Sequence, residues 1–187
     1  MVGLVMTCPR CWGKKSDPLN AGNACLGCTG TGFASDSQLS AHFLLSEFLI
    51  SQTAIRRGIP NDPPPGVLSC LGGLAQVLEP IRLQAGTLHV DSGYRCVSLN
   101  LAVGGAMSSA HLTGCAADLV PLAISKIGLF NLVVASKLPF DQVIWEYGSW
   151  VHVGVLGPGG CQRREQLMIF PGTGYLPFNM QDPRVQG

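Results

Sequence analysis

The chain has 187 residues, enough to bury one sizeable core and to carry a small satellite module stabilised by something other than apolar burial. Twelve basic residues against eleven acidic ones, in a chain only 12% charged, exclude the electrostatic footprint of a nucleic-acid binder or of a protein drawn to an anionic membrane surface. Although 47% of the residues are hydrophobic, no uninterrupted apolar run approaches the ~20 residues that span a bilayer, so no membrane insertion is expected. The opening Met-Val-Gly-Leu-Val-Met-Thr lacks a basic head and runs straight into Cys8. It does not resemble an export signal peptide and leads us to expect synthesis in a cytoplasm.

Residues 1–34 are rich in Gly, Cys, Asn and Thr and have no apolar periodicity, so a metal would have to order them. Cys8-Pro9-Arg10-Cys11 and Cys25-Leu26-Gly27-Cys28 are separated by thirteen residues, a spacing that lets two tight turns present four thiolates to one zinc. The alternative, two redox-active pairs, lacks the strand-to-helix context of a thioredoxin-like motif. A closed four-thiolate site leaves no open coordination position, so it serves structure or docking rather than catalysis. Over about 25 residues this segment resembles the zinc knuckles of the DnaJ cysteine-rich region, Cys28-Thr29-Gly30-Thr31-Gly32 included.

From Gln38 to Gly58, apolar residues interleaved with Ser46, Glu47 and Ser51 predict one or two short helices, with Ser46 as a cap and a stop at Gly58. Asn61 to Gly66 reads as a loop, because successive prolines remove backbone donors. Leu68, Leu71, Leu74, Leu78 and Ile81 recur at three- or four-residue steps and predict a helix closed by Gly86. Strands are expected at Thr87–Asp91 and Ala117–Leu122, and a helix over Ile127–Lys137. Gln142–Glu146 and Trp150–Val155 bracket Tyr147-Gly148-Ser149 as a hairpin, with Val151, Val153 and Val155 on one face and Trp150 and His152 on the other. A last apolar run at Met168–Phe170 leads into a Pro- and Gly-rich tail whose role the sequence does not disclose. Helices followed by short, antiparallel strands indicate an α+β fold.

His111 and Asp118 flank the Thr113-Gly114 turn, so the chain can reverse and point an imidazole and a carboxylate at one centre, which His152 completes. Two neutral imidazoles and one carboxylate leave a fourth zinc position for water, the arrangement of catalytic sites. Alone, His111 would read as a satisfied, partly buried histidine and Asp118 as a hydrogen-bonding carboxylate. The surrounding string changes that: Ser109-Ala110-His111-Leu112-Thr113-Gly114-Cys115-Ala116-Ala117-Asp118 matches SxHxxGxAxD, Trp150-Val151-His152 matches WxH, and Ser92-Gly93-Tyr94-Arg95 matches SGYR. These segments resemble the zinc D-Ala-D-Ala carboxypeptidases and L-Ala-D-Glu endopeptidases, a VanY-like group with the hedgehog/DD-peptidase fold. Further likeness to the phage-encoded branch runs through His42-Phe43, Leu45 to Phe48, Thr53-Ala54, Gly58-Ile59 and Leu78 to Arg82, so the resemblance spans roughly residues 39–155.

The resemblance implies a small antiparallel sheet with flanking helices in a peptidase-like domain over 35–160, between a knuckle at 1–34 and a C-terminal extension at 161–187. It implies a catalytic zinc on His111, Asp118 and His152, beside the structural one that the CxxC spacing places on Cys8, Cys11, Cys25 and Cys28. By the same resemblance Arg95 grips the substrate's carbonyl or carboxylate; Ser109, two residues from a ligand, can orient substrate or water, and Tyr94 is a further substrate-binding candidate. From the residues alone Arg95 also reads as a salt-bridge partner and Tyr94 as a core or rim aromatic. Many relatives carry Glu or Asp three residues before the final histidine, where this chain has Ser149. The nearest carboxylate is Glu146, six residues before His152, which is either the general base or a structural carboxylate. His42 and His89 show no partners by spacing, and Cys70, Cys96, Cys115 and Cys161 read as small buried apolar residues.

The implied function is a phage-encoded zinc peptidase, made in a host cytoplasm, that cuts a peptidoglycan stem-peptide bond next to a D-amino acid at the bacterial cell wall. The alternative is a structural virion component, at a tail or baseplate, that keeps the fold for wall binding or assembly. Other virion proteins would then meet the knuckle or the C-terminal tail.

Overall fold

The computed structural model describes residues 37–156 and 160–186, together with the backbone of four short strands nearer the N-terminus. These are β1 (Met6–Thr7), β2 (Ser16–Asp17), β3 (Asn20–Ala24) and β4 (Phe33–Ala34), where β1 pairs with β4 and β2 with β3, both antiparallel. Cys8, Cys11, Cys25 and Cys28, and with them the expected knuckle, lie outside the described residues.

Two short helices follow, α1 (Leu45–Leu49) and α2 (Gln52–Arg57). The first is not capped by Ser46: Leu44 is the N-cap residue, and its N–H donates to the Glu47 carboxylate at 2.7 Å. Ser51 caps the second, and Gly58 ends it in the left-handed region. The leucine periodicity becomes α3 (Pro65–Ala85), which starts inside the expected loop because proline at the first helical position loses no needed donor. Leu71, Leu74 and Leu78 are fully buried on its inner face.

The rest of the chain builds a six-stranded sheet around which the helices pack. It comprises β5 (Leu88–Ser92), β6 (Ala116–Pro121), β7 (Gln142–Glu146), β8 (Trp150–Gly154), β9 (Glu165–Ile169) and β10 (Leu176–Pro177), in the order β10-β9-β7-β8-β6-β5. Between β5 and β6 lie α4 (Val97–Ala102), which the periodicity did not reveal, and a single 3-10 turn, Ala110–Thr113. The helix α5 (Lys126–Ala135) crosses from β6 to β7, and α6 (Pro183–Gln186) ends the chain. The fold is α+β with helices flanking the sheet, as expected, but the sheet is mixed: β7 and β9 run parallel and every other pairing within it is antiparallel. Among the described residues no helix is long and apolar enough to cross a membrane.

Strand alternation gives the sheet two unlike faces. Val90, Leu119, Val143, Val151, Val153 and Met168 point into the core against α3 and α5. The tail is part of this structure: β9 and β10 extend the sheet, and Phe170 and Val185 join the core cluster. The opposite face carries Asp118, His152 and Glu146.

Candidate metal centre and cleft

Three side chains converge at the middle of the polar face. Asp118 on β6 and His152 on β8 are direct cross-strand partners, and His111 reaches them from the 3-10 turn. That turn is capped by Ser109, whose hydroxyl accepts from the His111 N–H, and closed by Gly114 at φ 72. A β-carbon at Gly114 would stand 2.8 Å from the Val67 side chain, so this position demands glycine on two counts. The motif glycine thus lets the turn press against α3 while His111 faces inward.

All three residues are buried. His152 Nδ1 lies 2.8 Å from Asp118 Oδ1 and 3.1 Å from His111 Nε2, and His111 Nε2 lies 3.3 Å from Asp118 Oδ1. A tetrahedral zinc with bonds of ~2.0–2.1 Å separates neighbouring ligand atoms by about 3.3 Å, so the triangle has nearly the right size. Its proton inventory agrees. His111 Nδ1 is 2.6 Å from the Gly93 carbonyl, which can only accept, so the proton sits on Nδ1 and Nε2 presents a lone pair to the centre. A carboxylate oxygen and an imidazole lone pair 3.3 Å apart in a buried site repel each other, and a cation between them removes that repulsion. The donor set therefore fits zinc.

At His111, electrostatics point the same way. Burial holds the His111 imidazole below its ordinary pKa, which favours the neutral form that a metal needs. Burial also works against the charged forms of Asp118 and His152, but their mutual contact prevails. Asp118, close to both histidines, stays ionised well below the usual carboxylate range, and His152 is pushed up by Asp118 and by the charge of Glu146.

Arg95 is not a plain surface residue. Its Nη2 donates to Asp118 Oδ2 at 2.8 Å and its Nε to Ser92 Oγ at 2.9 Å, at the edge of the metal centre. The SGYR segment is locked in place by neighbours the sequence did not single out. Asn61 donates to the Leu49 and Tyr94 carbonyls and accepts from the Cys96 N–H, while the Arg95 N–H donates to the His111 carbonyl. Gly93 passes so close to α1 that a β-carbon there would meet the Phe48 carbonyl at 2.5 Å. Tyr94, which the motif placed near the substrate, is buried in the core cluster, as its reading as a core aromatic has it.

The metal centre lies in a cleft of about 730 Å³ lined by Arg95, Ser109 and Glu146 among others. Hairpin register pairs Ile144 with His152 and Glu146 with Trp150, so Glu146 is a diagonal neighbour of His152 on the same face, about 7–8 Å away by strand geometry. Glu146 Oε2 accepts from Trp150 Nε1 at 2.9 Å, and burial raises the carboxyl above the ordinary range. Ser149 sits in the hairpin turn and does not line the cleft.

Two further lining residues escaped the sequence: Asp141, almost fully buried, binds the backbone N–H and guanidinium of Arg163, 22 residues away. Only the parallel pairing of β9 with β7 brings them together, so no local pattern announces it. His42 also gains a partner, Glu79, 37 residues on, whereas His89 lies exposed on the cleft wall. Among the four scattered cysteines only Cys115 is buried; Cys161 is exposed, and Cys96 caps α4 through its sulfur.

A family model for peptidase M15 matches residues 41–154, more than half the chain, and that span holds all three converging side chains. The chain belongs to the peptidase M15 family. It is accordingly a zinc metallopeptidase by family, with the His111, Asp118 and His152 cluster as the place where a metal could sit. Among curated proteins, no match to this M15 chain is found.

Proposed function

We propose that this M15 chain hydrolyses a stem-peptide bond of bacterial peptidoglycan next to a D-amino acid, that it is phage-encoded, and that it acts at the cell wall. The observation that carries the catalytic reading is the convergence of one carboxylate oxygen and two imidazole nitrogens, with separations of 2.8–3.3 Å, at the floor of an open cleft. Phage origin rests on the likeness of the segments between His42 and Arg82.

His111, Asp118 and His152 would hold zinc. Bound there, zinc supplies Lewis acidity toward a carbonyl oxygen and lowers the pKa of a coordinated water toward ~7. Arg95, anchored by Ser92 and Asp118, faces the same cleft and donates to the oxygen that gains negative charge at the scissile carbonyl. Glu146, its carboxyl pKa raised by burial and its side chain placed diagonally from His152, accepts the proton of the attacking water and returns it to the leaving amine. Trp150 holds that carboxylate in position. Ser109 fixes the His111 turn from the cleft wall. The four N-terminal cysteines would bind a second, structural zinc and offer a docking module to other proteins.

Incubating the zinc-replete protein with peptidoglycan and identifying products by mass spectrometry tests this reading. Cleavage by the wild type and a loss of roughly 10³-fold or more in Asp118→Ala are expected, since a metal's charge stabilisation is worth several kcal/mol. Zinc bound with no cleavage would overturn the enzyme and favour a virion component that keeps the fold.

A further inference from the structure

Three aromatic rings line one end of the cleft, and the chemistry above uses none of their faces. Tyr147 and Trp150 flank the β7–β8 turn, with ring centroids 5.8 Å apart and planes at 63°. Tyr175 arrives from a distant part of the chain: the Tyr147 N–H donates to the Ile169 carbonyl at the end of β9, Thr173 closes a turn on Phe170, and Leu176 pairs back with Met168. The same end of the sheet therefore carries the end of β7, the start of β8 and the start of β10. All three rings line the cleft together with Glu146, and Tyr147 and Tyr175 are 43% and 58% exposed. Tyr175 lies beyond residue 154, where the family match stops.

Large rings left in water beside a catalytic centre mark a contact surface, and rings with a hydroxyl or indole N–H at the edge suit a ligand that is apolar on one face and polar around its rim. Alanine and glutamate side chains of a stem peptide are small or charged and offer no broad apolar face. A pyranose does, with C–H groups on its face and hydroxyls around it. We infer that Tyr147, Trp150 and Tyr175 form a sugar-binding subsite that holds a pyranose of the glycan strand beside the scissile bond; this rests on the peptidoglycan reading above.

The position of the wall sets where the cut falls. Trp150 is bonded to Glu146 itself, so a sugar on the wall is next to the reacting atoms. The L-Ala–D-Glu bond is one residue from the sugar, whereas the terminal D-Ala–D-Ala bond is several residues further along a chain that extends about 3.3–3.6 Å per residue. The subsite thus selects endopeptidase cleavage near the glycan.

The test compares two substrates with the zinc-loaded full chain: a free stem pentapeptide, and the same peptide carried on its N-acetylglucosaminyl-N-acetylmuramic acid disaccharide. The disaccharide substrate is expected to be cut between L-Ala and D-Glu with a kcat/KM roughly tenfold higher, through KM, as one or two aromatic contacts allow. In Tyr175→Ala, and in its combination with Tyr147→Asn, which tolerates the backbone φ of 55 at that turn, the ratio of the two kcat/KM values falls toward one. Equal rates on the two substrates, or a ratio unchanged in the double variant, overturn the subsite while leaving the peptidase reading intact. Cleavage of neither substrate sinks both.

Discussion

The two faces of the central sheet are made by the same strands and held by opposite physics. On one face Val151 and Val153 of β8, Leu119 of β6 and Val143 of β7 are buried against α3 and α5, and their stability is proportional to the apolar area removed from water. On the other, at the alternate positions of the same strands, Asp118 and His152 are buried and Glu146 is half-buried, yet each keeps a charge or a lone pair that needs compensation. The inner face gains from dryness, whereas the outer face tolerates it only through Arg95, Trp150 and the Gly93 carbonyl, together with the cation that its donor set fits. Alternation thus lets a small domain place a reactive centre directly on its core.

Truncating the inner face should damage the fold and leave the chemistry. Leu74→Ala removes a fully buried side chain from the middle of α3 and should lower the unfolding free energy by about 2–5 kcal/mol in denaturant melts. Well below the melting point its kcat/KM should stay near wild type. A large loss of activity in the folded variant would show that the two faces are coupled more tightly than drawn here.

On the outer face, Glu146→Gln should do the reverse, lowering kcat/KM by roughly 10²-fold or more with little change in melting temperature. The sign of the pH dependence follows from burial. A base whose pKa is raised loses activity as pH falls through that raised value, so the acid limb of kcat/KM should lie above the ordinary glutamate value of about 4.3 and vanish in the variant. A limb that persists in Glu146→Gln would return Glu146 to a structural role.

Gly93→Ala should affect both faces, because a β-carbon there collides with the Phe48 backbone while the Gly93 carbonyl orients His111. A destabilisation of about 1–3 kcal/mol is expected, together with weaker zinc binding in titration calorimetry. Loss of stability with unchanged zinc affinity would separate the two roles.

The smallest effect is expected at the Asp141–Arg163 pair on the cleft rim. Hydrogen bonding to the Arg163 guanidinium holds Asp141 below its ordinary pKa of about 3.9. Its contribution to stability is therefore complete above that value and is lost as pH falls through the lowered one. Chemical denaturation of the wild type between about pH 5 and 2 should show this loss, and Asp141→Asn should flatten it.

The parts legible in the sequence were those with a local signal. The leucine spacing of α3, the capping glycines 58 and 86, the hairpin and the motif spacing from His111 to Asp118 are all encoded within a few turns of chain. Long-range register was not: the parallel pairing of β9 with β7, the Asp141–Arg163 bond and the arrival of Tyr175 depend on where a tail of unremarkable composition folds back. α4 escaped because it is six residues long and capped by a cysteine sulfur, which is outside the usual capping set. For Tyr94 the core reading holds over the substrate-side one, because a motif gives identity but not the direction of a side chain.

The central claim, that the outer face is a metal centre built from His111, Asp118 and His152, is most directly tested by a melting comparison. Wild type and His152→Ala are each stripped with a chelator, reloaded with zinc, and melted. A ligand bound only by the native state stabilises it in proportion to RT ln(1 + [L]/Kd), so the wild type should gain a zinc-dependent rise in Tm that the variant lacks in large part. An equal rise in both proteins would mean that zinc acts elsewhere in the chain, and would contradict the assignment of this centre.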